Sequence, residues 1–578
     1  MNRMYVAEPS EFNLKELYAE LFPLCRSITG PAYEQSLEIL KKYVPFTIES
    51  FPSGSKVNDW TVPEGWSLNR ATLKDSQGNI ILDTHQNPLH VLNFSEPFTG
   101  KVSFEELKEH LFFDKNNPDA IPYTTSYYKP RWGLNLSYKQ FQELKDDEYE
   151  VCIDTIKDTN SSLKVGICDL KGDSDKIIQI SSYLCHPNML NNELSGPLAL
   201  VCLYLLLKSL PKRRYSYRFV IHPESIGSIA YLSRFAPELK EKLEYGINLT
   251  CLASPRSKDS VEDQINTISL TSALLSSSEE QDRIEYHKQF YQSFQNSYNH
   301  NFLQLPVSFK LTRQSYIDSI VYDKKLRSLG KNITAYAKGS YFEKSLRSSH
   351  YVSKAVTDLT IDDEQRVEEY LTTCAYYCRR FALNHLPNCH VYTDPRKDGF
   401  MCSFDIDNML RTLAYSNCAR YAVREYAPNN GSDEKQYCSP KLNLKYVQAT
   451  RTMYAIYSSY HSSLDNLDTF SLCSIMDSAL EIFDFIRYYE IAKLKPTLLN
   501  ECDPQLGPRG LYPNSNDPET TAKRYNSNGE LEVMLYILSL CSSGFTTEEI
   551  AEFIDECPLR VSKIIYKLYD TKVLDFSD

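Results

Sequence analysis

The sequence lacks the features of a membrane-spanning, secreted or nucleic-acid-binding protein. Acidic residues outnumber basic ones by 75 to 63, and the net charge of −12 argues against DNA or RNA as the main partner, because their phosphates require a cationic face. The first residues contain no apolar run of the kind found in a signal peptide. The most apolar stretch, Leu198–Leu207, has about half of the ~20 residues that a membrane crossing needs. We therefore expect a cytoplasmic protein with no membrane partner, in which this stretch is a buried helix.

The composition and the alternation of β-rich and helical runs are typical of a large globular α/β protein. A chain of 578 residues, of which 42% are hydrophobic and 24% charged, is typical of three or four ordinary domains. Between residues 176 and 251, three β-rich runs alternate with two helical ones. This alternation predicts right-handed βαβ units and a sheet with substantial parallel pairing. Ser195 is the expected N-cap of the first of these helices, with Pro197 in its first turn.

Residues with metal-binding side chains follow the predicted strands. His186 comes directly after one strand, and Glu193 lies seven residues later, before the helix. Glu224 follows the next strand, and His461 lies in a late polar loop. The carboxyl ends of the strands in an open α/β sheet meet at one edge, where sites are found, and imidazole and carboxylate groups are ordinary zinc ligands. The pattern predicts a zinc site in which a carboxylate activates water.

Each of these residues also has a plain structural interpretation. A His-Pro pair at a strand end can be no more than a turn, and His222 can be a strand-end residue. A glutamate that precedes a helix can simply stabilise the positive end of the helix dipole. Spacing alone therefore leaves both a metal site and a structural arrangement open.

Five longer motifs carry a resemblance to a known family. They are Leu21–Gly30 (LFPLCRSITG), Cys185–Gly196 (CHPNMLNNELSG), Pro223–Ser228 (PESIGS), Gly431–Pro440 (GSDEKQYCSP) and Tyr460–Asp465 (YHSSLD). The chain resembles bacterial aminopeptidase-like proteins whose genes often lie in surface-polysaccharide clusters. The resemblance covers about residues 10–255 and 400–578. It implies a zinc-exopeptidase-like α/β/α sandwich, distantly related to the di-zinc aminopeptidases and the glutaminyl cyclases.

The resemblance and the changes in composition together predict the domain organisation. The core comprises residues 1–58, 157–252 and 399–500, with a mainly β domain inserted at 59–156. A second, mostly helical insertion is expected at 253–398, and a winged helix-turn-helix at 520–578.

The last unit begins its second helix with a capping-box pattern, Thr546 and Glu549. Its final helix carries Arg560, Lys563 and Lys567, which could meet phosphates. Because acidic residues are numerous in the same unit, packing or protein contact is favoured over DNA binding.

The resemblance also implies roles for particular residues. His186 and His461 match the two histidine ligands of the relatives. Glu224 stands where the relatives have paired glutamates that act as base and ligand. Tyr460 and His222 are expected to line the same pocket.

The chain departs from the relatives at several of these positions. Asn192 or Glu193 stands in the place of the bridging aspartate, in the reverse of the usual acid–asparagine order. Only one glutamate follows Pro223, and the strand before Pro255 offers no further acid. Asp433 matches an acidic position beside the pocket whose role is undefined. These departures favour one zinc ion, or a site that has lost its metal, over two zinc ions.

The leading interpretation is a zinc-dependent amidohydrolase of the aminopeptidase type. It would act on a peptide or an aminoacyl amide, with Glu224 or Glu193 activating water. One alternative is a non-catalytic scaffold or regulatory protein that retains the fold. Another is a glutaminyl-cyclase-like transferase, which would use the same metal. The sequence is compatible with a homo-oligomer and names no substrate.

Overall fold

The computed structural model describes most of the predicted core and little of the second insertion. The described residues are 11–254, 268–269, 307–318, 402–415, 421–424, 426–511 and 529–577, except 428, 430, 453, 455 and 456. The predicted helical character of 253–398 therefore falls largely outside the described residues.

A mixed sheet of eight strands forms the centre of the described part of the chain. From one edge to the other, its strands are Tyr421–Arg424, Val307–Lys310, Tyr446–Thr450, Leu243–Leu249, Ser174–Tyr183, Tyr215–His222, Ser162–Leu170 and Thr47–Pro52. The four strands from Tyr446–Thr450 to Tyr215–His222 run parallel to one another. The predicted α/β class and the predicted parallel pairing are confirmed.

Strand Val307–Lys310 corrects the predicted domain division. It pairs with Tyr421–Arg424 on one side and with Tyr446–Thr450 on the other, so it belongs to the central sheet. The prediction that all of 253–398 is inserted outside the core is wrong at these residues. The strand is short and follows a long polar stretch, so its composition gave no sign of a core element.

Helices cover both faces of the central sheet. The helices of the core are Leu14–Leu21, Pro31–Lys41, Ser195–Ser209, Ile226–Lys242, Asp405–Tyr415, Glu434–Tyr437 and Leu472–Ile491. Ser195–Ser209 packs on the sheet beside Leu472–Ile491, which also contacts the sheet, and Leu14–Leu21 packs against Ser195–Ser209. With the turn before it, this helix has the length and composition of a membrane span, but it is completely buried, as the core helix of a soluble protein is. The prediction of a buried helix here is confirmed.

Residues 59–156 supply most of a second, antiparallel sheet. Its strands, in order across the sheet, are Ile80–Asp83, Gly65–Lys74, Glu148–Asp158 and Phe98–Ser103. The short helix Phe104–Lys108 directly follows the last of these strands, and Tyr138–Glu143 precedes Glu148–Asp158. Its core includes Trp66 and Leu73. The other two tryptophans of the chain, Trp60 and Trp132, also lie in this segment, so tryptophan fluorescence reports on it alone.

An ion pair in this second sheet predicts an acid-sensitive contribution to stability. The Arg70 guanidinium donates two hydrogen bonds to Asp83, at 3.1 and 2.7 Å, and lowers the pKa of that carboxyl to about 2. A lowered pKa in the folded state means that the pair stabilises the fold above the ordinary pKa of about 3.9 and ceases to do so as the pH falls towards 2.

We expect Asp83→Asn to destabilise the protein at neutral pH, and the deficit relative to the wild type to shrink between pH 4 and pH 2. Urea unfolding followed by tryptophan fluorescence measures this difference. A deficit that is constant across this range would contradict the ion-pair account.

Among the described residues, the C-terminal unit contains three helices and a two-stranded sheet. The helices are Glu530–Leu540, Thr547–Phe553 and Pro558–Asp570, and the strands are Lys495–Leu498 and Leu574–Ser577. Thr546 and Glu549 form the predicted capping box.

The last helix faces the core, since it packs on Leu472–Ile491 and its Lys563 pairs with Asp484 at 2.5 Å. Its other predicted phosphate-binding cations are also paired, Arg560 with Glu556 at 2.6 Å and Lys567 with Glu530 at 2.5 Å.

Candidate metal centre

The candidate site lies where the parallel strands of the central sheet end. His186 follows strand Ser174–Tyr183 and Glu224 follows strand Tyr215–His222, and these two strands are neighbours in the sheet. Because parallel strands present their carboxyl ends at the same edge, the two side chains meet there. His186 Nε2 lies 3.7 Å from Glu224 Oε2.

Glu193 holds the other side of the His186 ring. His186 Nδ1 lies 2.6 Å from Glu193 Oε2, and Glu193 Oε1 accepts a hydrogen bond from the backbone N–H of Cys185. Both oxygens of this fully buried carboxylate are therefore engaged. An imidazole that donates Nδ1–H to a carboxylate keeps a free lone pair on Nε2, which is the arrangement found behind metal-bound histidines.

The electrostatics agree with this pairing. Burial disfavours a charge on His186, but Cys185 and, after it, the Glu193 carboxylate outweigh burial and hold the pKa of the imidazole well above its ordinary value, so zinc would have to displace the proton on Nε2. Burial also raises the pKa of the Cys185 thiol to about 11, so without a metal this thiol is protonated at neutral pH.

Glu224 is the accessible carboxylate of the site, with 31% of its side chain exposed. Its Oε1 accepts a hydrogen bond from Ser432 Oγ at 2.6 Å, which leaves Oε2 directed at His186. Burial and the neighbouring charge of Asp433 raise its pKa to about 7, against the opposing effect of His186.

Asp433 fixes the turn that carries Glu224. Its Oδ1 accepts hydrogen bonds from the Ser225 N–H at 2.8 Å and from Ser228 Oγ at 2.6 Å. Ser225 has a φ of 61°, in the left-handed region that side chains avoid, so these bonds support a strained backbone. The undefined acid of the sequence motif is thus a buried anchor of the Glu224 turn.

His222 lies behind the site. Its ring is fully buried and makes contacts of 3.1 Å with the carbonyl oxygen of Pro223 and 3.2 Å with Tyr437 OH. Burial lowers its pKa to about 4. The structural interpretation of this histidine fits these contacts.

The turn that carries Glu193 is capped from a distant part of the chain. The Asp465 carboxylate accepts hydrogen bonds from the backbone N–H groups of Leu190, Asn191 and Asn192, at 3.1, 2.5 and 3.0 Å. The helix therefore begins with a π-helical turn at Leu190 instead of at residue 195. The prediction of Ser195 as N-cap is wrong because the helical backbone is already continuous there, and its hydroxyl donates to the carbonyl of Asn191.

Asn192 brings a buried amide to the same turn. Its Nδ2 donates to Tyr183 OH at 3.0 Å, while its Oδ1 is buried and has no hydrogen-bond partner among the described residues. A buried carbonyl oxygen without a donor costs free energy unless something else binds it.

His461 is the second histidine of the candidate site. Its ring centroid lies 5.2 Å from that of His186, and its ring stacks on that of Tyr460 at 3.9 Å. Burial and the neighbouring His186 lower the pKa of His461 well below its ordinary value, which favours the neutral, ligand form.

One residue beside the two histidines was absent from the sequence prediction. The Tyr123 ring, which comes from residues 59–156, lies 4.7 Å from the ring of His186 and 5.3 Å from that of His461. No motif marks this tyrosine, because its neighbours in space come from segments far away along the chain.

His186 and Glu224 are spaced as two ligands of one zinc ion would be. The distance of 3.7 Å between His186 Nε2 and Glu224 Oε2 is close to the separation of about 3.3 Å between two ligand atoms on one tetrahedral zinc ion. His461 would complete the two-histidine, one-glutamate set of open catalytic sites. The donor atoms of His186, Glu224 and His461 do not all lie within 4.8 Å of one another, so the side chains would have to close around the ion. Within the described residues, one cluster of three potential ligands lies within 4.8 Å, Cys185, His186 and Glu193, but its atoms are already hydrogen-bonded to one another.

Comparison with known proteins identifies the family of this chain and one of its relatives. The family profile described as "Domain of unknown function (DUF4910)" matches residues 15–329 and 390–491. A candidate polysaccharide biosynthesis protein with an aminopeptidase-like domain, from Clostridium acetobutylicum, is 41% identical over 250 residues. That match covers 43% of this chain and 57% of the relative, so the chain spans less than two thirds of that protein. The predicted resemblance to aminopeptidase-like proteins is confirmed.

Solved structures support the fold. A candidate peptidase of Clostridium acetobutylicum is 25% identical and covers 98% of this chain and 96% of its own, with a TM-score of 0.62. A zinc aminopeptidase of Bacillus subtilis is 11% identical over 82% of this chain and 93% of its own, with a TM-score of 0.39, which is too low to support any conclusion about this chain. The predicted zinc-exopeptidase-like fold class is confirmed, and the chain belongs to the DUF4910 family.

Proposed function

We propose that this protein is a cytoplasmic, zinc-dependent amidohydrolase of the aminopeptidase type, with one zinc ion held by His186, Glu224 and His461. The observation that carries the proposal is the arrangement around His186. One ring nitrogen is fixed by a buried carboxylate, and the other faces a second, accessible carboxylate across 3.7 Å. Buried structural histidines have no need of this two-sided geometry, whereas metal-binding histidines are regularly held in this way.

Each residue has its own part in the proposed reaction. Zinc, when bound, supplies the Lewis acidity that polarises an amide carbonyl and acidifies water. Glu193 keeps the proton of His186 on Nδ1. Glu224 would bind zinc through Oε2, and its Oε1, which Ser432 orients, would take the proton of the attacking water and return it to the leaving amine.

The same geometry distinguishes the two carboxylates. Either Glu193 or Glu224 was expected to activate water. Glu193 has both oxygens engaged and no exposed surface, so it positions His186 instead of reaching substrate. Glu224 is partly exposed and is the better candidate base.

Glu193→Gln should lower the zinc affinity about 10–100-fold, the usual effect of changing a residue that orients a metal ligand. The Cys185 N–H requires an acceptor, so the glutamine would turn its oxygen there and its NH₂ towards His186 Nδ1. The proton of His186 would then move to Nε2 and block the metal position.

Competition with a chelator measures the affinity of the Glu193→Gln variant for zinc. Glu105→Gln, at a side chain 83% exposed, is the matched control. Equal affinities in the two variants would count against the assigned role of Glu193.

The activity itself is tested with zinc-loaded protein and a panel of aminoacyl amides and short peptides. The proposal expects release of a free amino acid or amine, which Glu224→Gln should abolish while the fold is retained. Ammonia released from glutaminyl peptides without hydrolysis would favour the cyclase alternative instead. A protein that binds zinc but turns over none of these substrates would favour the scaffold alternative.

A further inference from the structure

The backbone around His461 is held by a segment of residues 59–156. The Tyr123 N–H donates to the carbonyl oxygen of His461 at 2.7 Å, and Pro122 forms a β-bridge with Ser462. One residue further along, the Ser463 N–H donates to the carbonyl of Ile121 at 2.9 Å. This stretch thus adds a short extended strand to the loop that carries the histidine.

Side chains extend the same contact. The Ile121 N–H donates to Ser463 Oγ at 3.0 Å, and Asn117 Nδ2 donates to the carbonyl of Ser458 at 2.7 Å. The segment 117–123 therefore binds the loop both before and after His461.

His461 needs such support because its backbone is strained. Its φ is 50°, in the left-handed region that a residue with a Cβ rarely adopts. Conformations of this kind persist where surrounding contacts determine them and are concentrated at functional sites. The hydrogen bond from Tyr123 is made to the strained residue itself.

The Tyr123 side chain contacts both histidines, and the three rings form a triangle with sides of 4.7, 5.3 and 5.2 Å. Its ring is 7% exposed and stands nearly perpendicular to that of His461, with an interplanar angle of 86°. Its hydroxyl lies 2.5 Å from Tyr127 OH, and its ring packs on Leu89 and Met189. The tyrosine is thus anchored at its far end and along its side, so the positions of both imidazoles are fixed against it.

We propose that Tyr123 is a positioning residue of the zinc site, and that residues 117–123 hold His461 at a fixed distance from His186. The segment 59–156 is then a constituent of the site and not an accessory to it. This inference rests on the proposed zinc site and adds that its geometry depends on a residue from outside the α/β core.

The test compares Tyr123→Ala with Tyr123→Phe in the full-length protein. Zinc affinity is measured by chelator competition, and the site geometry by the visible absorption of the cobalt(II)-loaded protein. We expect Tyr123→Ala to lose about 10–100-fold in affinity and to change the cobalt spectrum, because a residue that orients ligands is removed. Tyr123→Phe keeps the ring and should restore both. Tyr128→Ala, at a neighbouring tyrosine that is 56% exposed, is the matched control.

The possible outcomes distinguish the role of Tyr123 from the proposed zinc site on which it rests. Wild-type affinity and an unchanged cobalt spectrum in Tyr123→Ala would overturn the role of Tyr123 and leave the zinc site standing. A wild-type protein that binds no zinc would overturn both. If Tyr123→Ala does not fold, Tyr123→Leu preserves the packing on Leu89 and Met189 and carries the same expectations.

Discussion

Lys310→Met is expected to destabilise the protein by about 3–5 kcal/mol, the usual cost of removing one partner of a buried ion pair. Lys310 Nζ lies 2.8 Å from Glu434 Oε1, and both side chains are 1% exposed. Burial lowers the pKa of Lys310, and the charge of Glu434 opposes that effect. Without the lysine, the Glu434 carboxylate would remain in the interior without its cation.

The Lys310→Met change should also disturb the candidate metal site. Glu434 Oε2 accepts from the Ser432 N–H at 2.9 Å and from Gln448 Nε2 at 2.8 Å, and Ser432 is the residue that holds Glu224. Urea unfolding followed by far-UV circular dichroism measures the stability. The double variant Lys310→Met with Glu434→Gln removes both charges and should recover most of the loss. A single variant as stable as the wild type, or a double variant no better than the single one, would contradict the ion-pair account.

Gly196→Ala is expected to destabilise the protein by about 3 kcal/mol, at the upper end of the cost of overpacking a core. A Cβ at this position would lie 2.1 Å from Ser182 Oγ and 2.5 Å from the carbonyl oxygen of Leu249. The serine side chain can rotate, but the Leu249 carbonyl is part of a central strand and cannot. The helix would have to move away from the sheet and take the Glu193 turn with it, so zinc affinity should fall as well.

Gly507→Ala provides the matched control, because a Cβ there meets no atom within 4 Å. Both variants add one methyl group to a glycine, and they differ in the space available to that group. Equal stabilities by urea unfolding would show that the helix does not pack on the sheet as closely as described.

The sequence predicted those parts of the site that depend on local pattern. His186 and Glu224 follow β-rich runs directly, and parallel strands bring their ends together whatever the rest of the chain does. The Thr546–Glu549 capping box is equally local, because its partners lie three residues apart.

What the sequence could not predict depends on contacts between distant segments. The helix before Ser195 is capped by Asp465, which lies more than 270 residues away, so local rules chose the wrong cap. Asp465 belongs to the motif that was singled out for His461, and an acid four residues after a candidate ligand was the available signal. Strand Val307–Lys310 joins the sheet across a long polar stretch, and Tyr123 enters the site from a separate sheet region. Neither has a local pattern that points to its partner.

The most direct test of the zinc site is the metal content of the purified protein, measured by elemental analysis after zinc loading and removal of free metal. His186→Ala removes the residue around which the site is built, and His85→Ala removes an exposed histidine as the control. The account predicts about one zinc per chain in the wild type and in His85→Ala, and none in His186→Ala. A wild-type protein that retains no zinc, or a His186→Ala variant that retains as much as the wild type, would contradict it.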